Sequence, residues 1–157
     1  MAAMQWVGLP PLAAAVSRSG GLGNITALSQ PNPSALRIAI QHLRQDARGN
    51  PFCVNITTLP AIKPPDYLGY AKAAVEEGVK VVELAGIICE WAFFFLEARG
   101  CLLIGYFIFL VAIATPLIKY FKEQGCTVIY KGFNIQDSKV RNIAVCVHLR
   151  QVDLRIR

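Results

Sequence analysis

The sequence of 157 residues predicts an α/β fold built around a parallel β-sheet. Three observations point to this class. Residues that favour helix N-termini precede stretches with apolar side chains at helical spacing, a glycine follows each stretch, and a short apolar run comes next. This order occurs four times. A helix therefore lies between successive strands, which is the connection that parallel strands require.

The first two repeats lie between residues 12 and 56. The first is short, with a helix over Leu12–Val16, a glycine-rich turn and a strand over Ile25–Ala27. In the second, Asn32 is expected to cap a helix that begins at Pro33, because the missing N–H of proline costs nothing at a first helical position. Its apolar face, its end and its strand are predicted at Leu36, Ile40 and Leu43, at Gly49 and Pro51, and at Phe52–Ile56.

The third and fourth repeats follow the same order. Their expected caps, terminal glycines and strands are Asp66, Gly78 and Val79–Leu84, then Thr115, Gly125 and Cys126–Tyr130. The glycines of residues 20–23 precede a strand, whereas a dinucleotide-binding fingerprint follows one, so we interpret them as the end of a helix. On the repeats alone, a doubly wound sheet and a (β/α)8 barrel both remain open.

Composition and charge exclude several classes. The net charge is +6, but the basic residues are scattered and form no basic face with interleaved aromatic residues, so no nucleic-acid partner is expected. Five cysteines without a C-x-x-C pair argue against a disulfide framework and against a metal site. Together with the lack of a signal peptide at the start of the sequence, they predict a cytoplasmic protein.

One segment, residues 87–114, does not fit the repeat. The hydrophobic fraction of the whole chain is 54%, and this segment is its most apolar part. No charge interrupts the run from Cys101 to Ile118, which reaches the length of about 18 residues expected of a membrane-span candidate. A loop between a strand and a helix offers no core in which to bury such a run. We therefore interpret the segment as an apolar helical insertion.

Five separated blocks carry a more specific signal. They are Met4–Gly8, Leu12–Ser17 with Gly20–Gly23, Pro51–Ile56, Glu77–Gly86 and Pro116–Lys131. In this order they resemble the amino-terminal part of the nitronate monooxygenases, the 2-nitropropane dioxygenase family. The resemblance implies an incomplete (β/α)8 TIM-type barrel of about the first five strands. It divides the chain into the first part of an FMN-binding barrel (1–86), the insertion (87–114), a continuation of the barrel (115–131) and a basic tail outside the family pattern (132–157).

The resemblance also implies a flavin site at the carboxyl ends of the strands. Met4 and Gln5, expected to end the first strand, would lie along the FMN ring. Asn55 would hydrogen-bond polar atoms of the flavin. Lys131, at the end of the fifth strand, would place a positive charge beside the flavin and favour its anionic reduced form. The structural alternatives are a buried Asn55 that satisfies backbone groups and a solvated Lys131, and a structural role is expected for Glu83.

The activity that the resemblance implies is the oxidation of alkyl nitronates with dioxygen to a carbonyl compound and nitrite. The family's catalytic histidine lies in a Gly-Phe-Glu-Cys-Ala-Gly-His-type segment, and this sequence contains neither that segment nor the family's phosphate-binding loops. His42 lies on a predicted helix far from the strand ends and His148 in a tail without a family match, so both are expected to be surface residues and not catalytic bases. Tyr130 stands where the family has a histidine. No catalytic residue is therefore assigned. We expect the chain to hold FMN weakly or not at all and to show no turnover.

Two hypotheses concern the apolar insertion. Family sequence stops at Gly86 and resumes at Pro116, so the insertion has the character of a translated intron, which cDNA sequencing would test. The alternative function is a non-catalytic fragment that associates with a membrane through residues 101–118. Cell fractionation separates a soluble yellow protein from a protein that stays in carbonate-washed membranes.

Overall fold

The structure is a computed structural model, and it describes residues 4–58, 64–86 and 116–131. Helices and strands alternate along the described chain. The helices are α1 (Pro10–Arg18), α2 (Pro33–Ala47), α3 (Tyr67–Glu76) and α4, whose described part covers 116–123. The strands are β1 (Gly23–Thr26), β2 (Phe52–Thr58), β3 (Val81–Gly86) and β4 (Thr127–Lys131). The predicted α/β class is confirmed.

The four strands form one sheet in which every pair is parallel. Their spatial order is β1-β2-β3-β4, which is also their order in the sequence. A doubly wound sheet would reverse its strand order at a switch point, whereas a (β/α) barrel adds each new strand on the same side of the last. The described strands show no reversal. They are therefore consistent with part of a TIM-type barrel.

The helix caps form as the sequence predicts. The Asn32 side chain accepts a hydrogen bond of 2.8 Å from the backbone N–H of Ala35. Asp66 accepts one of 2.9 Å from Gly69 at the start of α3. Gly78 follows α3 with a φ of 71°, a left-handed conformation that costs glycine little. At the end of α2 Gly49 has a φ of 80°, as expected of the glycine that ends the helix, and Arg48 before it also has a positive φ, of 54°.

Helix α1 lies very close to the start of β1. The buried Ser17 hydroxyl donates to the carbonyl of Pro51 at 2.9 Å and accepts from the N–H of Gly23 at 3.2 Å, so it ties the helix to the start of β1 and to the residue that precedes β2. A Cβ at Gly23 would collide with the backbone carbonyl of Ala13. Glycine is therefore required at residue 23 for close packing, whereas the sequence had been interpreted only as a helix end, and no ligand is needed to explain it.

Two expectations need correction. Residues 4–9 contain no strand, so Met4 and Gln5 do not end one within the described chain. The backbone turns instead, because Trp6 has a φ of 65° and the carbonyl of Met4 accepts from both Val7 and Gly8. The described residues accordingly form four strands where about five were expected, and Lys131 ends the fourth.

Several further predictions fall on residues outside the described ranges. They are the apolar helical insertion of residues 87–114, the membrane association through 101–118, the cap at Thr115, the basic tail of 132–157, and the placement of His148. Within the described ranges, none of the helices is both long enough and apolar enough to cross a membrane.

Candidate functional site at the carboxyl edge of the sheet

The two faces of the sheet have different chemistry. On the face covered by the helices, the side chains are apolar and almost fully buried: Ile25, Val54, Ile56, Val82, Leu84, Val128 and Tyr130 are between 0% and 5% exposed. They form one core cluster with the apolar faces of the helices. Burial of this face holds the strands in register, because a slip of one residue would turn every side chain to the other face.

The opposite face, which we call the inner face, carries most of the polar residues of the strands. In a closed barrel this face lines the interior. The strand register arranges its residues in three rows: Asn24, Cys53, Val81 and Thr127, then Thr26, Asn55, Glu83 and Ile129, then Thr57, Ala85 and Lys131. We call the last of these the edge row, because it lies at the carboxyl ends of the strands.

Three buried polar side chains on the inner face form a hydrogen-bonded network. Asn24 and Asn55 both donate from their amide groups to the carboxylate of Glu83, the latter at 3.3 Å. Asn55 also approaches the backbone carbonyl of Glu83 at 3.4 Å. All three side chains are at most 8% exposed. Hydrogen bonds from donors such as these two amides are the usual means by which a carboxylate is accommodated in a protein interior.

Burial also sets the protonation chemistry of this face. It raises the pKa of Glu83 above its usual value, although the charge of Lys131 and the hydrogen bonds from Asn24 and Asn55 lower it again in part. Burial, with a smaller effect from the negative charge of Glu83, raises the pKa of the Cys53 thiol to about 12. The carboxyl group of Glu83 and the thiol of Cys53 therefore hold their protons more tightly than the same groups do in water. Cys53 remains a neutral thiol at ordinary pH.

The edge row combines a hydroxyl group, a small residue and a cation. Thr57 is half-buried, and its hydroxyl donates to Asn55 Oδ1 at 2.8 Å. Lys131 is exposed at the end of β4. Ala85 lies between them in the register and adds only a methyl group. The backbones of Thr57 and Lys131 lie roughly 10 Å apart across two inter-strand spacings, and of the edge row only the methyl group of Ala85 stands between them.

The turn of residues 4–8 lies beside this edge, at the end of β1. The Thr26 hydroxyl donates to the carbonyl of Met4 at 3.3 Å, and the Thr26 N–H donates to the carbonyl of Gly8 at 2.9 Å. A Cβ at Gly8 would lie 2.8 Å from the Thr26 hydroxyl oxygen, so only glycine allows the turn to lie so close to the strand. The turn presents Met4, which is 50% exposed, and Trp6, which is 70% exposed.

Of the site residues expected from the sequence, Met4, Gln5 and Lys131 lie at the carboxyl end of the sheet, whereas Asn55 lies in the middle of β2, one row away from the edge row. Met4 and Gln5 are exposed in the turn, and Lys131 is exposed at the end of its strand. Asn55 is fully buried and bonded to Glu83 and Thr57. One of its contacts is with the backbone carbonyl of Glu83, which is the kind of contact expected if Asn55 satisfies buried backbone groups instead of binding a flavin directly. His42 lies on the exposed side of α2, as expected.

No role in the site was expected for Asn24, Thr26, Thr57 or Glu83 from the sequence. A signal for them was present, since polar residues alternate with apolar ones along β1 and β2. Period-two alternation places residues 24 and 26, or 55 and 57, on one face of a strand. What the alternation could not supply was the register between strands. Only the register brings Glu83 next to Asn55.

The residues at this edge fit the ring of a flavin. The oxidised ring is flat and largely apolar, and one of its edges carries an N–H between two carbonyl groups. An exposed cation at Lys131 and a hydroxyl at Thr57 match that polar edge, and the Met4 side chain offers an apolar contact. No residue of the described ranges is assigned to the flavin phosphate.

No protein-family model matches the chain. The structure is similar to that of the FabK M276A mutant from Thermotoga maritima, with a TM-score of 0.55 and a sequence identity of 34%. The match covers 83% of this chain and 34% of the FabK chain, so this chain spans about a third of the length of FabK.

The similarity to FabK bears on the family that the sequence resembles. FabK is an enoyl-ACP reductase and a TIM-barrel flavoenzyme of the 2-nitropropane dioxygenase-like superfamily. An identity of 34% over 83% of this chain therefore supports that superfamily. It does not single out the nitronate monooxygenases within it.

Proposed function

We propose that this chain forms the ring-binding part of an FMN-dependent oxidoreductase, with the flavin at the edge row of the inner face. The observation that carries the proposal is the position of Thr57 and Lys131 in one row at the carboxyl ends of β2 and β4, the two parallel strands that flank β3. In parallel barrels the catalytic and cofactor sites lie at this end. The similarity to a flavoenzyme supports the same assignment.

Each residue has a defined role in this proposal. Lys131 places its positive charge beside the polar edge of the ring, where it favours negative charge on the reduced flavin. Met4 and Gln5 lie along the ring from the side of β1. Asn55 acts through Thr57, because its own amide is already bonded within the sheet. When bound, FMN supplies the capacity to take up electrons from an organic substrate.

The substrate proposed from the sequence resemblance is an alkyl nitronate, with dioxygen as the second substrate and a carbonyl compound and nitrite as products. The similarity to FabK favours a second candidate, the reduction of an enoyl thioester. No described residue is assigned as a catalytic acid or base for either reaction. Binding of the flavin is therefore the first property to test, and weak binding directed at the ring is the expected result.

Equilibrium dialysis of the full chain against FMN tests the site. Replacement of Lys131 by alanine removes a charged hydrogen-bond donor, and we expect the dissociation constant to rise about tenfold. Lys72→Ala is the matched control, since Lys72 is also exposed but lies on α3. An equal effect of the two substitutions, or no saturable binding by the wild-type chain, would contradict the proposed site.

The two candidate reactions are distinguished with the FMN-loaded chain. Nitrite release from propyl 2-nitronate in air would support the nitronate reaction. Oxidation of NADH that depends on an added enoyl thioester would support the second. The sequence predicts no turnover in either assay, so a signal in one of them would identify the substrate class and overturn that prediction. The cytoplasmic location likewise stays a prediction, for which cell fractionation is the test.

A further inference from the structure

A chain of hydrogen bonds fixes the orientation of one amide at the candidate site. The Asn55 amide nitrogen faces the carboxylate and the backbone carbonyl of Glu83, at 3.3 and 3.4 Å. Both of these groups accept hydrogen bonds when the carboxylate is ionised, so the NH2 group of Asn55 must be the one that faces them. Its carbonyl oxygen, Oδ1, therefore points away from Glu83.

The same chain fixes the direction of the Thr57 hydroxyl. Its oxygen lies 2.8 Å from Asn55 Oδ1, which can only accept. The single proton of the Thr57 hydroxyl is therefore committed to Asn55. What Thr57 offers toward the carboxyl edge is a lone pair, and a ligand that meets it must bring a donor. Thr57 is half-buried, so it remains within reach of such a ligand.

We propose that Thr57 is a specificity-determining residue that accepts a hydrogen bond from the ring N–H of the flavin, at N3. The inference rests on the proposed flavin site and adds an orientation to it. The oxidised ring has one N–H, and carbonyl oxygens flank it on both sides. Lys131, in the same row two strands away, then pairs with one of these oxygens. The methyl group of Ala85 leaves room for the edge of the ring between them.

The test is a comparison of two ligands and three proteins by equilibrium dialysis. The ligands are FMN and N3-methyl-FMN, which lacks the ring N–H. The proteins are the full wild-type chain, Thr57→Val and Thr57→Ser. Valine keeps the shape of threonine without the hydroxyl, and serine keeps the hydroxyl. For FMN, Thr57→Val is expected to raise the dissociation constant about tenfold, and Thr57→Ser less than threefold.

For N3-methyl-FMN, Thr57→Val should leave the dissociation constant unchanged within about twofold, because the donor that would be lost is already absent. An equal effect of Thr57→Val on both ligands would overturn this inference while leaving the flavin site in place. The same holds if Thr57→Val has no effect on FMN. If the wild-type chain binds neither ligand, the flavin site and the inference fail together. The comparison of ligands on the wild-type chain does not depend on the folding of any variant.

Discussion

The packing of α2 on the sheet allows the most quantitative prediction. Ile40 is 0% exposed and belongs to the core cluster, whereas Ile38, two residues earlier on the same helix, is 55% exposed. Replacement of a buried isoleucine by alanine costs about 2–5 kcal/mol of the free energy of unfolding. Alanine also favours the helix by a few tenths of a kcal/mol, and this gain is the same at both positions. The difference between Ile40→Ala and Ile38→Ala therefore isolates the burial.

Urea unfolding followed by circular dichroism measures this difference. With a slope of roughly 1.5 kcal/mol per molar urea for a chain of this size, Ile40→Ala should lower the midpoint by about 1.5–3 M. Ile38→Ala should leave it within about 0.3 M. Should Ile40→Ala not fold, the pair Ile40→Val and Ile38→Val tests the same point, with about 1 kcal/mol expected at residue 40. Equal midpoints for the two positions would refute this packing of α2.

Three further predictions concern the inner face. Burial raises the pKa of Glu83, so this carboxyl group binds a proton more readily in the native state than in the unfolded state. The stability that its protonation contributes is present below pH 4.5, the ordinary pKa, and is lost as pH rises. The free energy of unfolding of Glu83→Gln should therefore increase relative to the wild type as pH rises above 4.5, and a constant difference from pH 4 to 8 would contradict this. The pKa of Cys53, about 12 against an ordinary 9.0, is higher by three units, so its thiolate fraction near pH 8 should be about a thousandfold lower than that of a free thiol. Iodoacetamide should then label Cys53 only in the unfolded chain, as read by mass spectrometry, and rapid labelling of the native protein would be inconsistent with its burial. Gly8→Ala should displace the turn of residues 4–8 from β1, because the new Cβ would lie 2.8 Å from the Thr26 hydroxyl; faster hydrogen exchange at the amide of Thr26 is the expected sign, and unchanged exchange would speak against this contact.

Features of the fold that depend on neighbouring residues in the sequence were predictable. The caps at Asn32 and Asp66 and the glycine after α3 each follow from one short stretch of sequence. The exact ends were less so, since Gly49 has the positive φ that the sequence suggested but Arg48 before it has one as well. A left-handed cap is cheapest for glycine, but other residues adopt it where the surrounding packing requires it.

The candidate site was predictable only in its location. Lys131 was expected at the carboxyl end of its strand, and the structure places it there, whereas Asn55, expected at the end of its strand, lies in the middle of β2 (Phe52–Thr58). The partners of Asn55 depend on the strand register, which repeats alone do not specify. The turn at Met4 was missed because the positive φ of Trp6 has no signal in sequence, such as a glycine at that position.

The central claim is that the carboxyl edge of the parallel sheet binds the flavin ring. Backbone amide NMR shifts of the full chain during an FMN titration test it most directly. Saturable shifts are expected, concentrated at residues 57, 85 and 131 at the carboxyl ends of β2, β3 and β4. Residues 52, 81 and 127, at the amino ends of the same strands, should change little. Shifts centred on the amino ends, or no saturable shifts at all, would contradict the claim.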